Sequence, residues 1–164
     1  MDCRLGSAAR FVRAAWRAAP ATRTRERASD TRAVESIEVE LVRSIYRRGD
    51  PSRFFDVLDE EVELDFSSYP VPGAPILRGK EAALDWSRRY WGTWHDYVLE
   101  PTEIIDAGQG RVIIVQYERA RGRGSGVELE RRWAVVYTIR MGKIVRFQAF
   151  RTRAEAVEAA RRRP

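Results

Sequence analysis

Residues 131–150 read RRWAVVYTIRMGKIVRFQAF, and the alternation within them decides the architecture. Successive side chains of a strand point to opposite faces, so Trp133, Val135, Tyr137 and Ile139 share one face while Ala134, Val136 and Thr138 share the other. Both faces are largely apolar, the mark of a strand that needs cover on both sides. The pattern pauses at Met141-Gly142, where Gly142 can supply a positive φ, and resumes with Val145, Phe147 and Ala149 on one face. This is a hairpin, and it raises the question of whether its buried side chains carry chemistry or only fill space.

Working outward, further strands are expected over Tyr97–Ile105, Arg111–Arg119, Val127–Arg140 and Ile144–Arg151, separated by AGQG, RGRGSG and MGK. Arg153–Arg162 is read as a closing helix. Upstream the period changes. Val34, Ile37, Leu41 and Ile45 recur at helical spacing, with Val42 and Tyr46 widening the stripe, after the N-capping residues Ser29-Asp30-Thr31 and before Gly49. Asp50-Pro51 starts a short second helix through Phe54, Phe55 and Leu58. Val62, Leu64 and Phe66 alternate with Glu63 and Asp65 as a strand. The stretch SSYPVPGAPIL, residues 67–77, has three prolines and a glycine and reads as a loop. A third helix runs from Lys80 to Trp91 and carries Ala83, Leu84, Trp86, Ser87 and Tyr90. This order predicts an α+β fold in which three N-terminal helices cover one face of a curved antiparallel sheet.

Composition limits the functional classes. The 164 residues suffice for one domain with a real core, and 44% hydrophobic with 33% charged residues is ordinary for a soluble protein. No apolar run approaches the roughly 20 residues of a spanning helix, so no membrane partner is expected. Cys3 is the only cysteine, which rules out an internal disulfide and fits a reducing, cytoplasmic setting. Of the net charge of +6, residues 1–34 hold +5, with eight arginines against Asp2, Glu26 and Asp30. The rest is nearly neutral. Since Lys80 and Lys143 are the only lysines, the arginine bias matches that of a GC-rich genome. No nucleic-acid partner is expected, because a specific binder gathers basic residues on one face of a folded element. Residues 1–30 are expected to be a disordered or partly helical Arg-rich extension that also imitates a transit peptide, 31–160 the domain, and 161–164 a basic tail.

Four segments, taken in order, carry a resemblance: IYRRGDPSRFFDVLDEEVELDF, PILRGKEAALDW, IIDAGQGRVIIV and GRGSGVELERRWAVVYTIRMGKIVRFQAF. Over residues 34–160 the chain resembles the SnoaL-like, polyketide cyclase type branch of the nuclear transport factor 2-like superfamily. The resemblance implies a cone-shaped sheet wrapped around a pocket, with the three N-terminal helices covering its concave face and closing the mouth. Ketosteroid isomerase, of the same superfamily, uses an aspartate base and an oxyanion hole made of a tyrosine and a protonated aspartate. By resemblance these positions fall at Phe66, Val42 and Val135, so all three are apolar here. A register slip of one residue would turn Asp65 inward instead of Phe66.

The candidate ligand-contacting residues are Tyr46, Phe66, Trp86, Tyr90, Val135, Tyr137 and Phe147. Tyr46, Tyr90, Tyr117 and Tyr137 can donate hydrogen bonds inside a cavity or simply satisfy the core. The cluster of Trp86, Tyr90, Trp91 and Trp94 can stack on a flat ligand or pack helix on sheet. The only histidine, His95, with its neighbour Asp96, is a catalytic candidate beside Asp65. One histidine without a second ligand at recognisable spacing gives no metal site, and no cofactor is expected. Arg119, Arg121 and Arg123 with RGRGSG are read as a solvated hairpin tip, since no helix N-terminus follows to make a phosphate cradle. Two functions follow. One is a small, mostly apolar molecule held in an internal cavity, with cofactor-free isomerisation, cyclisation or dehydration as the class of any reaction. The other is a non-catalytic homodimerising module whose pocket its own aromatics fill.

Overall fold

The computed structural model describes residues 35–46, 52–69 and 75–162. The extension, the caps expected at Ser29-Asp30-Thr31 and Asp50-Pro51, Val34, Gly49 and the last two residues lie outside this range. Among the described residues four helices and six strands follow in the order α1 (Ile37–Tyr46), α2 (Ser52–Asp56), β1 (Leu58–Asp65), β2 (Ile76–Arg78), α3 (Lys80–Gly92), β3 (Trp94–Gly108), β4 (Arg111–Gly122), β5 (Glu128–Arg140), β6 (Lys143–Phe150) and α4 (Arg153–Arg161).

The hairpin of residues 131–150 forms as its pattern requires. Met141 and Gly142 have φ of 48° and 72°, both positive, as a two-residue turn matched to strand twist demands. Trp133, Val135, Tyr137 and Ile139 face one core with α1, α2 and α3, while Ala134 and Val136 face a second with α4. The returning strand departs from strict alternation. Thr138 pairs with Arg146 but Ile139 pairs with Ile144, so Val145 is the extra residue of a bulge. Ile144, rather than the expected Val145, therefore joins Phe147 and Ala149 in the inner core.

All six strands belong to one sheet in the order β2-β1-β6-β5-β4-β3. It is not wholly antiparallel. β1 runs parallel to β6, a pairing that needs a long crossover, and the chain between them supplies it. The proline-rich loop is shorter than its composition suggests, since Ile76–Arg78 pairs with the end of β1 as edge strand β2. Leu58, expected at the end of α2, opens β1 instead and is fully buried there.

On α1 the buried stripe is Val39, Val42 and Ile45, with Leu41 and Tyr46 partly buried. Ile37 was expected on that stripe but stands exposed in the first turn, where the Ser36 hydroxyl accepts the Val39 N–H at 3.4 Å. The outer face of the sheet is covered by α4, whose Ala156 and Ala160 pack on Ile113, Val136 and Phe150. A capping box fixes that helix: the Thr152 hydroxyl accepts the Glu155 N–H while the Glu155 carboxylate accepts the Thr152 N–H. Apolar residues on both faces of β5 are thus covered within the chain.

Candidate functional site: a cavity under the third helix

The inner face of β4 carries Val112, Ile114, Gln116, Glu118 and Ala120, every second residue and all buried. Across the ladder stand Tyr137, Val135, Trp133, Arg131 and Leu129 of β5. The first two pairs, Val112 with Tyr137 and Ile114 with Val135, close the core under α1. Beyond them the face turns polar while staying covered. There the sheet, α3 and the segment after β1 enclose a cavity of about 70 Å³, walled mostly by aromatic rings.

Two hydrogen-bonded groups reach this cavity. In the first, the Tyr46 hydroxyl donates to Gln116 Oε1 at 3.0 Å and lies 2.9 Å from the Tyr137 hydroxyl. In the second, Glu118 Oε1 accepts from the hydroxyls of Tyr97 at 2.7 Å and Tyr90 at 3.3 Å. Glu118 Oε2 accepts from Arg131 Nε at 2.5 Å, and Arg131 Nη2 donates to the Tyr90 hydroxyl at 3.0 Å. The Arg131 guanidinium also lies over the Tyr69 ring, 4.6 Å from its centre. Glu118 is completely buried and is the only carboxylate among the described residues of the cavity wall.

The environment keeps the hydroxyls protonated. Burial pushes Tyr97 and Tyr90 well above the usual phenol range, and the negative charge of Glu118 adds to it. Burial does the same for Tyr46 and Tyr137. Tyr69 is pushed up to about 12 by burial, against the opposing charge of Arg131. Burial would lower Arg131, but its hydrogen bond and charge interaction with Glu118 prevail and hold it above its ordinary value. The site is therefore an array of neutral phenol donors around one carboxylate–guanidinium pair.

A family model of the SnoaL-like domain matches residues 39–147, two-thirds of the chain and every strand that forms the cavity. The chain belongs to the SnoaL-like domain family. Solved structures agree on the fold of this SnoaL-like protein. A nuclear transport factor 2-like protein from Burkholderia thailandensis E264 is 25% identical, with TM-score 0.61, covering 79% of this chain and 100% of its own. A protein of ketosteroid isomerase-like fold from Catenulispora acidiphila DSM 44928, in complex with trimethylamine, is 14% identical with TM-score 0.56, covering 78% and 98%. TerC co-crystallised with polyporic acid is 16% identical with TM-score 0.58, covering 75% and 99%. No curated protein matches significantly.

Of the ligand-contacting residues expected from the sequence, Tyr46, Phe66, Trp86, Tyr90, Tyr137 and Phe147 line the cavity of the SnoaL-like domain. Val135 does not reach it, being fully buried in the packed part of the inner face. Phe66 points inward, 5.0 Å from the Trp86 ring and 5.1 Å from that of Phe147. Asp65 faces outward, bound to Ser67 and within 3.6 Å of Arg146, so the one-residue slip does not occur. His95 and Asp96 are exposed at the start of β3 and stand away from the cavity. Tyr117, next to Glu118 in sequence, falls on the opposite face of β4.

In the aromatic cluster Trp86 stacks on Tyr90 at 4.9 Å, and Trp91 lines the wall, whereas Trp94 lies outside it. The arginines of the RGRGSG tip are exposed, with Arg123 Nε donating to the Trp94 carbonyl. Sequence reasoning missed Gln116, Glu118 and Arg131, together with Tyr69 and Tyr97. The signal was present: with Val112 and Ile114 inward, counting by twos along RVIIVQYERARG turns Glu118 inward, and counting back from Trp133 turns Arg131 toward it.

Proposed function

We propose that this SnoaL-like protein holds a small, mostly apolar ring compound in the cavity under α3, with its polar group toward the buried hydroxyls. The observation that carries this reading is the placement of a completely buried Glu118, with three donors of its own, inside an otherwise aromatic cavity. Burying a charge is costly and a hydrocarbon core does better without one, so such a cluster is a marker of function. Two proteins of the same fold bound to small molecules, trimethylamine and polyporic acid, support the reading.

The chemistry the cavity can host is cofactor-free proton transfer. Glu118 is the carboxylate that can take a proton, and neutral phenols stand ready to stabilise a developing oxyanion. Glu118 accepts three hydrogen bonds, two at Oε1 and one at Oε2, so a lone pair of Oε2 remains to take a proton. The size of the cavity sets the scale. At about 70 Å³ it is half the roughly 150 Å³ of an apolar cavity that takes benzene, so a ring enters only as Trp86 shifts or with part of it in the mouth.

The same small volume favours a second reading, the homodimerising module with a pocket filled by its own rings. Titration with small ring compounds, followed by tryptophan fluorescence and melting temperature, separates the two. Ser87, buried on α3 at the cavity wall, provides the control. If the cavity binds ligand, Ser87→Leu fills it and abolishes the shifts while leaving the fold intact. If the pocket is already filled, no compound shifts wild type and Ser87→Leu destabilises it by about 1 to 3 kcal/mol. Light scattering on the same samples reports whether the chain pairs.

A further inference from the structure

Within the wall of this cavity two hydrogen-bond donors have no acceptor. The Tyr69 hydroxyl and the Trp133 indole N–H are both buried and unpartnered in the structure. The residues are only 6% and 7% exposed, and both line the cavity. Their rings stack 5.1 Å apart at an interplanar angle of 18°, so the two donors belong to neighbouring rings of one cavity wall. Native proteins satisfy nearly all buried polar groups, and each exception calls for a partner that the chain does not supply. The indole nitrogen of Trp94 is also unpartnered, but it lies off the cavity wall. What distinguishes Tyr69 and Trp133 is that two such donors are stacked together at one cavity.

We propose that Tyr69 and Trp133 form a subsite for a carbonyl oxygen of the bound molecule. This rests on the small-molecule reading above and specifies the end of the ligand that the site recognises. Both groups present protons: an indole N–H donates only, and the Tyr69 hydroxyl has no other acceptor. A carbonyl oxygen has two lone pairs and no proton, which matches two donors. A hydroxyl group of the ligand would bring a proton of its own that these two donors have no use for. An anion is a poorer match, because the nearest cation, Arg131, is already paired with Glu118. Arg131 over the Tyr69 ring polarises that phenol and makes it a better donor. The pair thus selects for a neutral ketone or aldehyde.

The test uses two probes of the same shape, cyclopentanone and methylenecyclopentane, which differ only in C=O against C=CH2. Binding to the full chain is followed by nuclear magnetic resonance of the indole N–H protons, with Trp133 assigned through Trp133→Phe. The ketone should bind roughly tenfold more tightly than the hydrocarbon and move the Trp133 N–H resonance downfield. In Tyr69→Phe the hydrocarbon should bind as before and the ketone's advantage should shrink several-fold. The melting temperature of Tyr69→Phe should stay level or rise, because the change removes an unsatisfied buried hydroxyl. Equal affinity for the two probes, with the hydrocarbon still bound, would overturn the subsite and leave the cavity reading standing; an ordered water then satisfies both donors. If neither probe binds, both readings fall. A lower melting temperature of Tyr69→Phe without ligand would give that hydroxyl a structural role and also count against the proposal.

Discussion

The two halves of the inner sheet face are built from the same pair of strands, yet they serve different ends. Where Val112 and Ile114 of β4 meet Tyr137 and Val135 of β5, the residues are buried under α1 with nothing ionised among them. Two residues further along, Gln116 meets Trp133 and Glu118 meets Arg131, polar and beside open space, all buried but Arg131, whose side chain is a quarter exposed. The backbone continues without interruption from one half to the other. What changes is the chemistry of every second side chain, and with it the balance between cohesion and recognition. The first half gains stability from dispersion and apolar burial, whereas the second gives some up to hold a charge pair out of water. The cavity is a stretch of the same core lined with different side chains, on a backbone that it shares with the packed half.

Substitutions at matched positions test this contrast. The largest effect is expected for Glu118→Ala, which leaves the Arg131 guanidinium unpaired among aromatic rings and deprives two phenols of their acceptor. Denaturant titration should show a loss of about 3 to 5 kcal/mol. Replacing both members of the pair by leucine should recover most of it. A single-mutant loss below about 1 kcal/mol would mean that the pair is solvated and the contrast false. In the packed half, Ile114→Ala should cost about 3 kcal/mol through the cavity it opens, and no second substitution at Val135 short of a larger side chain should restore it.

Alkaline pH acts on the buried phenols, most of which stand in the polar half. Tyr46, Tyr90, Tyr97 and Tyr137 are raised above the ordinary phenol value, and Tyr69 to about 12, all first by burial. A phenol whose folded value is raised contributes stability that is complete below pH 10 and lost as pH climbs toward the folded value. Stability should therefore hold to about pH 9 and fall steeply between 10 and 12, and the ultraviolet band of tyrosinate should lag behind that of the unfolded chain. Tyrosinate forming near pH 10 with the fold intact would show these rings to be wet. The smallest effect is expected for Tyr46→Phe, about 1 kcal/mol, since Gln116 loses one donor while the ring stays packed.

Much of this architecture is legible in the sequence because it is written in periods. The hairpin at Met141-Gly142, the inward turn of Phe66 and the closing helix α4 all follow from counting by two or by 3.6. The departures have identifiable causes. Val145 and Ile144 exchange roles at a bulge, which inserts a residue without a compositional mark. Ile76–Arg78 pairs although prolines precede it, because an edge strand needs a ladder on one side only. The site was harder to read than the fold. Glu118 and Arg131 sit in ERARGRGSGVELERR, where charges ordinarily belong to a solvated face, and only the cross-strand register brings them opposite each other. Tyr69 and Trp133 meet through a loop and a strand 64 positions apart, a proximity that no local pattern encodes.

The parallel pairing of β1 with β6 sets the timetable of folding. Leu64 lies beside Phe147 in the finished sheet, so β1 must wait for the last strand before it has a neighbour on that side. The β3–β4–β5–β6 meander, in contrast, closes through short turns and can condense early, since local contacts cost little chain entropy. As the protein emerges from the ribosome, α1, α2 and β1 are made first yet find their places last. For most of synthesis their apolar faces are unburied, an interval in which chaperones and aggregation compete for them.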